Sequence, residues 1–212
     1  MSSSILLARF IILLFGFPIH EMAHAWTAYY FGDDTPKNHG RLSFNPLVHL
    51  DLFGSLLILV AGFGWAKPVP VNPYILRKHS KYANMLVSLA GPISNLLMAL
   101  LAAIPIQLGL VKYQGFSSGF TMPNLFEFLF YFILTNILLM VFNLIPLAPL
   151  DGEKVLEFFI PDRFLPIFEK FRQYGPIALI IIIFLLPRFG IDIIGSVMNP
   201  IINGLLSILV GG

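Results

Sequence analysis

Long apolar stretches are the feature that most limits the folds open to this chain. A helix needs about 20 mostly apolar residues to cross a bilayer, and four stretches reach that length, at 5–31, 82–111, 125–147 and 191–210. Charged residues make up only 11% of the chain, against about 25% in an ordinary soluble domain. A soluble domain of 212 residues could not bury that much apolar surface. The sequence therefore predicts an all-α polytopic membrane protein, with a single domain over residues 1–212.

Two shorter apolar stretches decide how often the chain crosses. Residues 175–187 follow an amphipathic stretch that could lengthen them into a further crossing. Residues 52–64 number only 13 and include three glycines, which suits a re-entrant or buried segment better than a full crossing. We therefore expect about five transmembrane helices. The membrane core would cover about residues 5–155, and amphipathic and hydrophobic helices would cover 156–212.

The positive charges support this topology and orient it. If 52–64 does not cross, ten of the 13 Lys and Arg residues fall on one side, and only Arg9, Lys112 and Arg188 fall on the other. Because Lys and Arg concentrate in cytoplasmic loops, the richer side is expected to face the cytoplasm of a cell membrane. The N-terminus would then be outside and the C-terminus inside. The first stretch lacks a basic start and a cleavage site, so we expect it to be retained.

The segment His20-Glu21-Met22-Ala23-His24 lies inside the first apolar stretch. Two histidines four residues apart share one face of a helix and can bind one metal ion, while the glutamate beside the first can act as a base. A charged side chain at the bilayer centre costs on the order of 3 kcal/mol, so three ionisable residues within this segment need partners or a function. The pattern predicts a catalytic zinc site, which has three protein ligands and one position for water.

The third ligand must be His, Asp or Glu, because the chain has no cysteine. Asp151 follows the stretch 125–147, and in the predicted topology it reaches the same membrane face as the histidine pair. His49 and Asp51 are alternatives in a loop near that face. We favour Asp151, because two prolines open the backbone before it and the glycine after it permits a tight turn.

Three motifs together resemble those of the site-2 proteases, a family of intramembrane zinc metalloproteases. The first is the His-Glu-x-x-His segment. The second is Ala90-Gly-Pro-Ile-Ser-Asn95 in the next long helix, and the third begins at Asn143 and ends in Pro-Leu-Asp-Gly at Gly152. They occur in the family's order and cover about residues 15–160. The chain resembles a minimal form of the family, without a PDZ-like or nucleotide-sensing domain.

This resemblance implies a cofactor, a set of site residues and a class of substrate. One zinc ion per chain would be held by His20, His24 and Asp151, with Glu21 as the general base. The substrates would be transmembrane helices of other proteins, hydrolysed within or near the bilayer by zinc-activated water. The active site would lie toward the cytoplasmic side.

Other polar residues near the motifs are candidates for substrate binding. Asn95 and Asn143 belong to the motifs themselves, and His49 lies near the active-site face. Helix packing explains Asn95 as well as substrate contact does, and capping of the next helix explains His49 equally well. Asn136, seven residues before Asn143 and on the same helix face, is expected to serve in packing.

Residues 65–73 contain three prolines, which exclude a helix and a central strand. We expect a small extended, β-like segment here. It could pair with an unwound substrate strand, or it could be a linker anchored at the membrane interface by Trp65.

Two other classes of function compete with proteolysis. An ion or proton transporter could use the same ionisable cluster as a relay, but such proteins usually contain internal repeats and none is visible. A catalytically silent relative could bind membrane helices as a chaperone, although the intact Glu21 argues against it. A net charge of +2 with no basic tract excludes nucleic acid as a partner. The expected partners are the lipid bilayer and transmembrane substrates, and the oligomeric state stays open.

Overall fold

Helices make up most of the computed structural model, which describes residues 3–116 and 122–211. The longer helices are α1 (Ser3–Tyr30), α2 (Leu52–Ala61), α3 (Pro73–His79), α4 (Ala83–Gln107), α5 (Leu125–Asn143), α6 (Asp151–Phe159), α7 (Leu165–Arg172), α8 (Gly175–Phe189) and α9 (Ile193–Val210). Single turns lie at Thr35–Asn38, Pro46–Val48 and Asp162–Phe164. These ranges contain no sheet, so the all-α class is confirmed. The predicted β-like segment is not a strand, because its only pairing is one isolated antiparallel bridge between Leu50 and Ala66.

Four helices in the described ranges, α1, α4, α5 and α9, are long and apolar enough to cross a membrane. A fifth span results if Asp162–Arg172 and Gly175–Phe189, which meet at 58°, count as one. Large apolar side chains such as Leu101, Ile104 and Ile208 are exposed on the outer faces. Exposure to water would be unfavourable for so much apolar surface, so lipid surrounds these faces. The chain is a multi-pass membrane protein with four or five candidate spans by length and composition, against the predicted number of about five.

The interior of the bundle lies where α4, α5 and α9 meet. Ala99 and Ala103 of α4 are buried together with Ile133 and Ile137 of α5 and Met198 of α9. Small side chains on α4 let the helix backbones approach closely, which is a main source of attraction between helices in lipid. Both α4 and α5 also pack against α1, so this core positions the two helices that face the His-Glu-x-x-His segment.

Two hydrogen bonds show which helix ends lie together. Ser4, at the start of α1, donates to the buried carboxylate of Glu127 at the start of α5. Gln107, at the end of α4, donates to the Ile208 carbonyl near the end of α9 at 2.7 Å. Because α9 also packs along α4 and α5, it runs parallel to α4. The C-terminal end of α9 therefore lies at the opposite end of the bundle from the start of α4.

This arrangement corrects the prediction that the C-terminus shares a membrane face with the start of α4. Helix α8 begins against Ala148, where a Cβ on Gly175 would come within 2.6 Å of the alanine Cβ. Its backbone then passes through a π-helical turn at Ile181–Leu185 and a 3-10 turn at Leu186–Phe189. Because α9 runs parallel to α4, α8 does not complete a crossing between them. The sequence had suggested that the amphipathic stretch before residues 175–187 lengthens them into one.

Residues 52–64 turn back on themselves, as predicted for a re-entrant segment. Helix α2 ends at Gly62, whose φ of 76° is left-handed, and the chain then returns along its own helix. Gly54 and Gly64 allow this close approach. A Cβ on Gly54 would overlap the Trp65 backbone, and a Cβ on Gly64 would overlap the Gly54 carbonyl. At 1.5 Å per residue, the 10 residues of α2 reach about half of the roughly 30 Å hydrocarbon core.

The same segment is not buried, which was the alternative expectation. Leu52, Phe53 and Val60 are each more than 70% exposed, so this face of α2 contacts lipid. Arg9 of α1 donates to the Leu59 and Val60 carbonyls at the end of the helix. A cation at a helix C-terminus is favourable because the last carbonyls lack partners within the helix.

Candidate metal centre

The His-Glu-x-x-His segment lies in the second half of α1, after a π-helical turn at Ile12–Gly16. Gly16 allows α5 to approach at this turn, since a Cβ there would come within 2.6 Å of Leu139 Cδ1. His20 and His24 project from one face of α1 toward α4 and are 5% and 7% exposed. A π turn beside a functional segment is a common arrangement, because it reorients the side chains that follow.

Asp151 reaches the histidine pair through the turn that follows α5. The helix ends at Asn143, and Asp151 is the first residue of α6. Gly152 makes the turn possible, because a Cβ there would overlap the Leu144 carbonyl. The Asp151 side chain is 13% exposed, so its carboxylate points into the protein, as the sequence predicted for a candidate ligand.

Three potential ligand atoms converge at this point. Asp151 Oδ2 lies 3.1 Å from His20 Nε2 and 3.2 Å from His24 Nε2, and the two Nε2 atoms are 3.0 Å apart. A tetrahedral zinc ion with metal–ligand distances of about 2.0–2.1 Å separates its ligands by about 3.3 Å. The three atoms therefore fit a zinc ion with little movement.

The outer hydrogen bonds of both imidazoles leave their Nε2 atoms free for a metal. His20 Nδ1 donates to Asn95 Oδ1 at 2.6 Å, and His24 Nδ1 donates to the Val87 carbonyl at 2.6 Å. With the proton on Nδ1, each neutral ring presents an unprotonated Nε2. Two nitrogen lone pairs and a carboxylate oxygen this close repel one another unless a cation, or added protons, lie between them. Such outer partners are typical of metal-bound histidines.

The carboxylate of Asp151 is held in its ionised form. Burial alone raises the pKa of this carboxyl, but the positive charge that the adjacent imidazoles of His24 and His20 carry when protonated, together with their hydrogen bonds, holds the pKa well below its usual range. A carboxylate oxygen beside two imidazole nitrogens is a donor set that suits zinc. A metal would thus find the charged ligand already formed at neutral pH.

Glycine at position 91 makes room for the two imidazoles, a role that the sequence did not indicate. A Cβ there would come within 2.5 Å of His20 Nε2 and 2.6 Å of His20 Cε1. The position lies inside α4, where glycine is unfavourable by roughly 1 kcal/mol relative to alanine. A glycine in a helix interior is a signal of close approach, but the sequence does not say what approaches.

Glu21 lies beside the three ligands and is partly exposed. Among the residues that the structure describes, it makes no hydrogen bond or ion pair, so its carboxylate is available. Arg41 is a charged neighbour that the sequence did not single out. Burial lowers the pKa of Arg41, and the field of Glu21 opposes that shift. The Arg41 guanidinium donates to the carbonyls of Lys67 and Pro68 at 3.0 and 2.9 Å.

The alternative third ligands do not join the cluster. His49 is fully buried and its Nε2 donates to the Ser43 carbonyl at 2.8 Å. Asp51 caps α2, since its Oδ1 accepts from Gly54 N at 2.8 Å. Burial and the nearby Arg41 lower the pKa of His49, so it is neutral at pH 7, and its Nδ1 has no partner in the described structure.

The other two candidate substrate residues lie in different surroundings. Asn95 is fully buried, with its oxygen facing His20 and its amide nitrogen 2.9 Å from Asn136 Oδ1. This favours orientation of His20 over the substrate contact that the sequence suggested. Asn143 is half-buried and donates to the Leu139 carbonyl of its own helix at 2.9 Å.

Comparison with known proteins identifies relatives of the chain. The profile of the family described as Peptidase family M50 matches residues 105–186. The chain is 43% identical over 176 residues to the protein named "Putative zinc metalloprotease YwhC" of Bacillus subtilis (strain 168), with 81% of this chain and 78% of that protein covered. It is 29% identical over 178 residues to "Putative zinc metalloprotease Rip2" of Mycolicibacterium smegmatis, with 78% and 62% covered. No solved structure matches the chain.

Proposed function

Since the chain belongs to peptidase family M50 and is a zinc-dependent protease of the membrane, we propose that it hydrolyses peptide bonds within or next to transmembrane helices of other proteins. The observation that carries this proposal is the position of the three converging ligand atoms. They lie between helices that are long and apolar enough to cross a membrane. A soluble substrate could not easily reach this position, whereas a substrate helix in the same bilayer could.

One zinc ion per chain would be held by His20, His24 and Asp151. When bound, it supplies a Lewis acid and lowers the pKa of the attacking water. Glu21 takes the proton of that water and passes it to the leaving amide nitrogen. The Glu21 carboxylate is partly exposed and has no hydrogen bond or ion pair with any described residue, which supports this role. Asn95 and the Val87 carbonyl keep the two imidazoles oriented.

A substrate helix must unwind before cleavage, because its carbonyls are engaged in its own hydrogen bonds. The predicted extended segment at residues 65–73 offers a place for the unwound strand. The Lys67 amide donates to the His49 carbonyl at 2.8 Å and the Asn72 amide donates to Asp33 at 2.6 Å, so the backbone is fixed at both ends. Between them, the amides of Val69 and Val71 have no hydrogen bond within the described residues. Two free amides at alternate positions can pair with an added strand.

His49 and Asn143 remain candidates for substrate contact. His49 carries an Nδ1 without a partner next to this extended backbone, and Asn143 is half-buried at the end of α5, close to the turn that carries Asp151. We place the active site toward the cytoplasm, because most of the Lys and Arg residues lie on the side of the chain that includes residues 33–81.

The test is cleavage of tagged single-span substrates by the purified chain in micelles, with and without a zinc chelator. Glu21→Gln should keep its zinc and lose proteolysis by several orders of magnitude, because the base is not a ligand. Glu169→Gln, a substitution in α7 outside the site, is the matched control and should cleave normally. Cleavage by Glu21→Gln at a rate near that of the unmodified chain would contradict the proposed mechanism.

A further inference from the structure

We propose that Asn136 of α5 is a positioning residue that sets the tautomer of His20 through Asn95. The sequence had suggested that Asn136 serves in packing. Asn136 does not itself bond His20, His24 or Asp151; it acts through Asn95. The inference rests on the zinc site of the proposed function. It adds that the site depends on a polar relay reaching two residues beyond the ligand, to the backbone of α5.

The relay has three hydrogen bonds, two of which join buried side chains to each other. Asn136 Nδ2 donates to the Phe132 carbonyl of its own helix at 2.8 Å, and Asn136 Oδ1 accepts from Asn95 Nδ2 at 2.9 Å. Asn95 Oδ1 then accepts from His20 Nδ1 at 2.6 Å. Both asparagines are 0% exposed, so solvent does not compete for these groups.

The direction of every bond follows from the first. A backbone carbonyl cannot donate, so the nitrogen of Asn136 must face Phe132 and its oxygen must face Asn95. Asn95 must then present its nitrogen to Asn136 and its oxygen to His20. The proton of His20 is thereby held on Nδ1, which leaves Nε2 free for zinc. If Asn95 reversed, its nitrogen would face His20 and favour a proton on Nε2, where no metal could bind.

Asn136 supplies most of the bias against that reversal. A reversed Asn95 would place its oxygen against the oxygen of Asn136 and leave buried polar groups unsatisfied. In the part of the chain that the structure describes, the other acceptor near Asn95 Nδ2 is the Gly16 carbonyl at 3.5 Å, which is too long to hold the amide alone. A residue that served only in packing would have no such directional effect on His20.

The first experiment measures zinc retention by chelator competition on the zinc-loaded full chain. Asn95→Leu should weaken zinc binding about 10–100-fold, as expected for a direct partner of a ligand, and Asn136→Leu about 3–10-fold by partial loss of the bias. The double variant should bind zinc no more weakly than Asn95→Leu alone, because Asn136 acts through Asn95. Thr135→Val is the control, since Thr135 is 3% exposed and its hydroxyl bonds only carbonyls of its own helix.

The second experiment records the imidazole nitrogens of His20 by 15N NMR in the full chain after zinc removal, with the signal assigned by its loss in His20→Gln. The unmodified chain and Thr135→Val should show the proton on Nδ1, and Asn136→Leu should show a mixture of tautomers. Asn136→Ser keeps the fold if leucine does not fit, because serine can bond the Phe132 carbonyl as Thr135 does, and it should give the same mixture.

Two results would overturn the relay. One is an Asn136 variant that keeps the Nδ1 proton and normal zinc retention. The other is a double variant in which Asn136→Leu weakens zinc binding as much on top of Asn95→Leu as it does in the unmodified chain. Failure of the zinc site itself is distinguishable. In that case His20→Gln would not change the zinc content at all.

Discussion

Replacing Gly91 by alanine tests the packing of the metal centre against α4. The new Cβ would lie 2.5 Å from His20 Nε2, where an ordinary contact needs about 3.4 Å, so the ring or the helix must move by about 0.9 Å. A zinc ligand tolerates only about 0.2 Å. Because Asn95 and the Val87 carbonyl hold the rings from the other side, the imidazoles cannot retreat without losing those bonds.

Overpacking of this kind typically costs about 1–3 kcal/mol, which corresponds to about 5–150-fold weaker zinc binding if the strain falls on the site. The assay is chelator competition on the zinc-loaded chain, with thermal unfolding measured in parallel. Gly204→Ala is the matched control, because Gly204 lies within α9 and a Cβ there meets nothing within 4 Å. Both variants gain up to about 1 kcal/mol of helix propensity, so a difference between them reports the contact with the ligands. Equal zinc affinity in the two variants would refute the packing argument.

Three further predictions concern other parts of the chain. Replacing residues 65–73 by a Gly/Ser linker should impair cleavage of helical substrates while zinc content stays near one per chain; unchanged cleavage would mean that the segment is only a linker. Single cysteines at positions 113 and 211 should react with an impermeant reagent from one side of the membrane, and one at position 79 from the other; labelling of 79 and 211 from the same side would mean that α8 crosses. Arg172→Gln should destabilise the protein by about 1–2 kcal/mol in thermal unfolding, because the buried Glu153 loses its ion-pair partner. The effect is no larger because the arginine is 33% exposed and solvent screens its charge. Arg163→Gln should have little effect, and equal unfolding temperatures for the two variants would remove the ion pair from the account.

The sequence was sufficient for the parts of the fold that depend on local properties. The spans α1, α4, α5 and α9 could be predicted because their length and apolarity exceed what a bilayer requires. The segment at 52–64 could be predicted to turn back because it is too short to cross. Whether α8 crosses depends instead on the helices it packs against, and neither length nor charge reveals that.

The same division applies to the metal centre. His20 and His24 share a face by helical periodicity, and Asp151 follows from a helix end, so their meeting could be predicted. The role of Asn136 could not, because its spacing from Asn143 places both on one helix face without showing what that face meets. Gly91 is a similar case. Gly91 lacks a side chain where the imidazoles of another helix pack against it, and only the packed structure reveals that contact.

Zinc content is the most direct measurement of the account's central claim, that His20, His24 and Asp151 hold one catalytic zinc. The full chain, Asp151→Ala and His49→Ala should be purified in the same detergent and analysed by elemental mass spectrometry. Loss of a ligand should reduce zinc retention far more than the 10–100-fold expected for an outer partner. About one zinc per chain is expected in the unmodified protein and in His49→Ala, and almost none in Asp151→Ala. Zinc retained by Asp151→Ala but lost from His49→Ala would contradict this expectation.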